Sequence, residues 1–159
     1  MAVTFADLVK KVKPPNHTRD VMDIKKISEL TQAAQRAQYN AHAPYSGFQV
    51  GAAVLTENDS IFCGCNVENA AYPLGQCAEA TAIGAMVAGG HKTITAVVIA
   101  SPTEEYCFPC GGCRQKIAEF AEDNTPVILV NTQGHIQSYT VGDLLPHAFR
   151  FLPNSDNIK

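Results

Sequence analysis

The sequence predicts an α/β fold: a mixed five-stranded sheet with helices packed on both faces. Two observations carry this expectation. Apolar residues recur at helical spacing in some segments, while others are short runs of β-branched and apolar residues of strand length. In chain order the elements read α-β-β-α-β-α-β-β, and strands separated by helices join into a mixed sheet whose faces the helices cover. At 159 residues, with 46% apolar and 17% charged residues, the chain has the size and composition of one ordinary globular domain.

Residues 1 to 20, broken by Pro14-Pro15, read as an N-terminal extension, and 21 to 159 as a single domain. Asp23 caps a helix in which Ile24, Ile27, Leu30, Ala34, Ala37 and Ala41 share a face, and Pro44 ends it. Gln49 to Thr56 and Ile61 to Val67 form a hairpin about the turn Glu57-Asn58-Asp59-Ser60. Tyr72 to Gly75 is a loop, and the Ala-rich stretch Cys77 to Val87 is a helix closing on Gly89-Gly90. Thr93 to Ala100 has the composition of a buried strand. A loop through Pro102 and Pro109 leads to a helix over Cys110 to Ala121. Pro126 to Asn131 and Ile136 to Val141 are strands about the turn Gln133-Gly134. Asp143-Leu144-Leu145 begins a helical turn that Pro146 stops.

Net charge is -3 and the chain has no basic stripe, which argues against a nucleic-acid partner, since neutralising phosphates supplies most of that affinity. No apolar run approaches the roughly 18 residues that span a membrane. Met1 to Lys13 has isolated apolar positions (Phe5, Leu8, Val9, Val12) but no unbroken apolar core, so no secretory signal is expected. These features point to a cytoplasmic protein with a small-molecule partner. Six cysteines, four at the tight spacings Cys63-Gly64-Cys65 and Cys110-Gly111-Gly112-Cys113, then suggest metal or redox chemistry rather than disulfides.

Cys77 and the pair Cys110 and Cys113 each open a predicted helix. Residues three apart share a helix face, so Cys110 and Cys113 can address one ion. A helix N-terminus favours the thiolate that binds metal. Two such termini converging would give a three-thiolate site suited to zinc, with the fourth position open as in catalytic rather than structural sites. Taken alone, the Cys-x-x-Cys pair leaves two other readings open: a structural zinc closed by Cys63, Cys65 or Cys107, or a redox pair. Glu79, two residues after Cys77, shifts the balance toward catalysis. Cys77-Ala78-Glu79 with Pro109-Cys110-x-x-Cys113 matches the zinc-deaminase signature, with cysteine replacing histidine.

The motifs Ala43-Pro44-Tyr45-Ser46-x-Phe48, Gly64-Cys65-Asn66-Val67-Glu68-Asn69-Ala70 and Tyr72-Pro73-Leu74-Gly75 extend this pattern upstream. Pro109-Cys110-Gly111-x-Cys113-Arg114-Gln115 and Leu144-Leu145-Pro146 extend it downstream. Over about two-thirds of its length the chain resembles the small, three-cysteine, homotetrameric cytidine deaminases. The resemblance implies α-β-α layers and one zinc ion per subunit, held by Cys77, Cys110 and Cys113. It implies hydrolytic deamination of cytidine and 2′-deoxycytidine to the uridines in pyrimidine salvage, by zinc-activated hydroxide with Glu79 as proton shuttle. By the same resemblance Asn66 and Glu68 bind the ribose hydroxyls and Phe48 lines the nucleoside pocket. The backbone N–H of Ala78 faces the pyrimidine O2. Phe149 stacks on the base from a neighbouring subunit, so that active sites are shared.

Some positions depart from the family pattern. Ala80 stands where the family usually has Arg, leaving the excess negative charge of three thiolates on zinc without its usual counter-charge. The helix N–H groups or Arg114 are the expected substitutes. Phe108, Gln76 and Cys107 are also unusual, and could reshape the leaving-amine side of the pocket. The competing readings are a deaminase of a modified nucleoside such as blasticidin S, a nucleotide hydrolase of the same fold, a polynucleotide deaminase, and a non-catalytic zinc-stabilised interaction domain.

Overall fold

Asp23 begins the ordered architecture by accepting a hydrogen bond from Lys25 N at 3.2 Å, capping helix α1 (Ile24–Tyr39). The structure is a computed structural model, and it describes residues 22–151. The N-terminal extension expected over residues 1 to 20 lies outside the described residues. Strands β1 (Gly51–Thr56) and β2 (Ile61–Cys65) follow, then a 3-10 turn over Tyr72–Leu74 and helix α2 (Ala78–Ala88). Next come β3 (Ile94–Ala100), α3 (Gly111–Phe120), β4 (Pro126–Val130), β5 (Ile136–Thr140) and the short α4 (Val141–Leu144).

The five strands form one sheet in the order β2-β1-β3-β4-β5. β3 and β4 pair in parallel; the other three pairings are antiparallel. The mixed five-stranded sheet expected from the sequence is therefore present. Alternate residues serve alternate faces, as the pleat requires. On one face Ala53, Leu55, Val98 and Ile128 pack under Leu30, Ala33 and Ala34 of α1. On the other, Val54, Val97, Ile99 and Leu129 pack against Ala82 and Met86 of α2 and Ile117 of α3.

Several boundaries differ from the sequence reading by a residue or two, and three of the differences have a visible cause. β1 starts at Gly51 rather than Gln49, because the Asn66 side chain takes the place of a strand partner there, bonding Phe48 O and Val50 N at 2.8 Å each. β2 ends at Cys65, and Val67 instead exchanges two 2.8 Å backbone bonds with Gln76. The last helical turn begins at Val141, two residues earlier than expected. Thr140 and Asp143 close a reciprocal capping box that starts it.

The topology decides where the helix ends fall. β2 and β3 are both antiparallel to β1, so they point the same way and finish at one edge of the sheet. α2 follows β2 and α3 follows β3, so both helix N-termini lie at that edge. Two glycines set the helices against the sheet. A Cβ on Gly64 would stand 2.3 Å from Ala82 N and 2.5 Å from Ala78 O, so α2 rests backbone to backbone on β2. On the opposite face a Cβ on Gly51 would stand 1.9 Å from Ala34 O of α1. Gly64→Ala must push α2 off the sheet, at a cost of about 1–3 kcal/mol for overpacking. The expected outcome is a melting temperature several degrees lower and weaker zinc retention; an unchanged melting curve would show that α2 moves freely.

Candidate active site

Each helix at this edge begins on a cysteine. Cys77 is the N-cap of α2 and Cys110 the N-cap of α3, both in extended backbone conformation, and Cys113 lies in the first turn of α3. Both N-cap cysteines thus lie one residue outside the helices they were expected to open. The three Sγ atoms fall within 4.8 Å of one another, and Cys77 Sγ is 3.8 Å from Cys110 Sγ. Sulfurs bound to a tetrahedral zinc at about 2.3 Å each are separated by about 3.8 Å, the distance already found for Cys77 and Cys110, so the number and kind of donors suit zinc. Among the described residues no fourth His, Cys, Asp or Glu joins the group, so a site closed by Cys63, Cys65 or Cys107 does not form.

The local electrostatics sort the thiols. Burial pushes Cys113 and Cys77 up, with neighbouring acidic groups adding to the effect. Burial would also raise Cys110. There, however, the N–H of Cys113, the thiols of Cys113 and Cys77 and the N–H of Gly112 outweigh it, holding Cys110 below its ordinary value. The N–H groups at the start of α3 therefore act on one of the three sulfurs, that of Cys110. Cys107 sits beside the cluster without joining it, its thiol pushed up to about 11 chiefly by burial.

Glu79 is in the first turn of α2 and only 4% exposed. Burial raises its carboxyl above the usual range, partly opposed by its own backbone N–H, the Cys113 thiol and Lys116. Cys113 Sγ donates to Glu79 Oε2 at 3.3 Å. Ala78 is the fully buried first residue of α2, and first-turn N–H groups have no partner within their helix.

Arg114, one of the two candidate substitutes, is bonded to backbone carbonyls. Its Nε and Nη1 donate to Pro109 O and Leu144 O, both at 2.9 Å, bracing the corner before Cys110. Gln115 is structural too, donating to Phe149 O at 2.7 Å, while Arg150 ties the same tail to Ala118 O and Asp123. The Phe108 ring packs on Tyr139 at 5.4 Å.

Backbone bonds knit the upstream motifs to this centre. His42 N donates to Asn66 O at 3.1 Å and Glu68 N to His42 O at 2.7 Å, while the Val67–Gln76 pair ends one residue before Cys77. Glu68 accepts from Tyr45 N at 2.8 Å, Ser46 N at 3.2 Å and the Ser46 hydroxyl, and these bonds, led by that of the hydroxyl, hold its carboxyl below the ordinary value. Asn66 and Glu68 thus shape the 45–50 segment that presents Phe48. Phe48 is 40% exposed and Phe149 74% exposed. Ser46, part of the upstream motif but given no role of its own in the sequence reading, is the hinge of this arrangement; its place two residues before Phe48 gave no signal of the partner 22 residues away.

Residues 24–129 match the family described as cytidine and deoxycytidylate deaminase zinc-binding region. A cytidine deaminase of Sporosarcina psychrophila is 44% identical over 123 residues, which cover 77% of this chain and 90% of that protein. The crystal structure of cytidine deaminase from Burkholderia pseudomallei is 43% identical and superposes with a TM-score of 0.73, covering 77% of this chain and 98% of that one. A blasticidin-S deaminase of Bacillus cereus is a weaker match, 31% identical over 105 residues, covering 61% of this chain and 74% of that protein. With its three-thiol cluster set at two helix starts, this chain belongs to the zinc-binding cytidine and deoxycytidylate deaminase family.

Proposed function

We propose that the protein hydrolyses cytidine and 2′-deoxycytidine to the corresponding uridines with release of ammonia, serving pyrimidine salvage in the cytoplasm. The observation that carries this reading is the buried Glu79 carboxyl beside three converging thiols, with Asn66 and Glu68 bonded into the adjoining loop. A zinc ion held by Cys77, Cys110 and Cys113 supplies Lewis acidity that makes water a nucleophile near neutral pH.

The chain's own groups do the rest. Glu79 takes the proton of the attacking water, gives it to ring N3, and then assists protonation of the departing amine. A carboxyl raised by burial holds a proton more readily than a free carboxylate, which suits a group that must carry one from water to base. The first-turn N–H of Ala78 receives the pyrimidine O2. Asn66 has one amide hydrogen and Glu68 about one acceptor site, on Oε1, beyond the loop bonds already made, and these meet the ribose hydroxyls. Phe48 closes the pocket.

The assembly belongs to the same proposal. Tyr45, Tyr72, Leu74, Phe149 and Phe151 are each more than half exposed, an apolar display suited to burial between subunits. A homotetramer covers it and lends Phe149 to a neighbour's site; the mass of a single chain in light scattering would refute this.

The decisive assay follows the loss of amino-pyrimidine absorbance on mixing with cytidine, with ammonia release across a panel that includes blasticidin S. Glu79→Gln is expected to retain zinc and lose roughly a thousandfold in kcat. A zinc-loaded Glu79→Gln variant with full turnover would remove Glu79 from the chemistry. Glu68→Gln is expected to raise KM about tenfold at similar kcat; an unaltered KM would take Glu68 out of the nucleoside site.

The thiols give a pH dependence of definite sign. In the metal-free fold Cys77, Cys107 and Cys113 lie above their ordinary values, so their stabilisation is present below about pH 8.5 and lost as pH rises further. Cys110, lowered, opposes this in part. Zinc, which requires thiolates, reverses the balance. The melting-temperature increment on zinc addition is therefore expected to grow between about pH 6 and 9, as differential scanning calorimetry would reveal; a flat increment would contradict it.

A further inference from the structure

The metal centre described above carries a formal charge that its ligands do not balance. Three thiolates and the Glu79 carboxylate set against a divalent ion leave two negative charges. The two helix N-termini offset roughly one of them, at about half a charge each. Ala80, next to Glu79, offers nothing, and the Arg114 guanidinium is bonded to Pro109 O and Leu144 O.

Lys116 lies one helical turn beyond Gly112 on α3. Side chains on a helix lean toward its N-terminus, so Lys116 reaches back over Gly112 toward the cysteines. The point where a Gly112 side chain would begin is 3.9 Å from Cys110 Sγ and 3.9 Å from Lys116 Nζ. The ammonium and that sulfur are therefore separated by no more than twice this distance. Lys116 is also the cation that lowers Glu79 across the site. The positive end of the α3 dipole does not itself favour a cation there. The absence of a side chain at Gly112 leaves the space between them open.

We propose that the Lys116 ammonium is the counter-charge of the three-thiolate zinc centre, supplying from α3 the positive charge that position 80 on α2 does not. It acts through the field at the sulfurs and Glu79 and touches neither metal nor substrate, which makes it a positioning residue. This inference rests on the zinc reading of the site. It predicts a specific response to charge, length and ionic strength, because an exposed ammonium is screened by salt.

The test measures zinc affinity by competition with a chromophoric chelator, at low and at high sodium chloride, for the parent chain, Lys116→Met, Lys116→Arg and Lys116→Met with Ala80→Arg. The expected loss for Lys116→Met is about fivefold at low salt, as for one unit charge at this range in a partly solvated site. The loss should shrink at high salt and be restored by Lys116→Arg and by Ala80→Arg. Metal-stripped Lys116→Met should melt with the parent. Equal affinity of the parent and Lys116→Met at low salt overturns the proposal. So does a loss that salt leaves unchanged or that neither arginine restores, because a packing defect behaves that way. A parent chain that takes up no zinc overturns the metal reading itself, an outcome distinct from both.

Discussion

Four acidic groups gathered at the meeting point of two helix N-termini are the constraint on which the site depends. Burial and mutual repulsion oppose ionising them together. Burial holds Cys113, Cys77 and Glu79 toward their neutral forms, and only Cys110 has enough N–H donors to favour its thiolate. A divalent cation resolves the conflict by turning mutual repulsion into shared attraction. Folding, metal uptake and proton exchange are then aspects of one electrostatic balance, set by the order of the strands.

That order also explains why residues far apart in the chain belong to one centre. β2 and β3 end at the same edge because both oppose β1. The His42, Asn66–Glu68 and Gln76 segments join there by backbone bonds that are indifferent to side-chain identity. Asn66 and Glu68 then hold the 45–50 loop in place through their side chains. The tail is fixed in a similar way, with Gln115 and Arg150 gripping its backbone while the Phe149 ring is left exposed.

Much of this was legible in the sequence, and the exceptions have physical causes. Helical spacing and a cysteine at each helix start located the ligands, because i and i+3 relations are local. The N-cap geometry of Cys77 and Cys110 was not legible, since it depends on backbone angles imposed by the loops before them. The start of β1 was misjudged because a side chain 16 residues from Val50 replaces a strand partner. Arg114 was one of two candidates for a counter-charge, with a structural role equally open, because its type and position suited either. Its real partners, Pro109 O and Leu144 O, are carbonyls that only the tertiary fold brings near. Lys116 carried no motif, and its reach over Gly112 becomes apparent only when the helix is built.

The seating of the helices on Gly51 and Gly64 bears on how the protein tolerates divergence. Where a helix rests on a strand through interlocking side chains, each exchange in the core shifts the helix and whatever it carries. Here the helix backbones meet the sheet directly, so the surrounding core can accumulate substitutions while the stations of Cys77 and Glu79 stay in register with the strands. A fold shared with proteins that differ at more than half of the aligned positions is what such an insulated mounting permits. The freedom is bounded by the glycines themselves, since a Cβ at either one would collide with the backbone of the helix that rests on it.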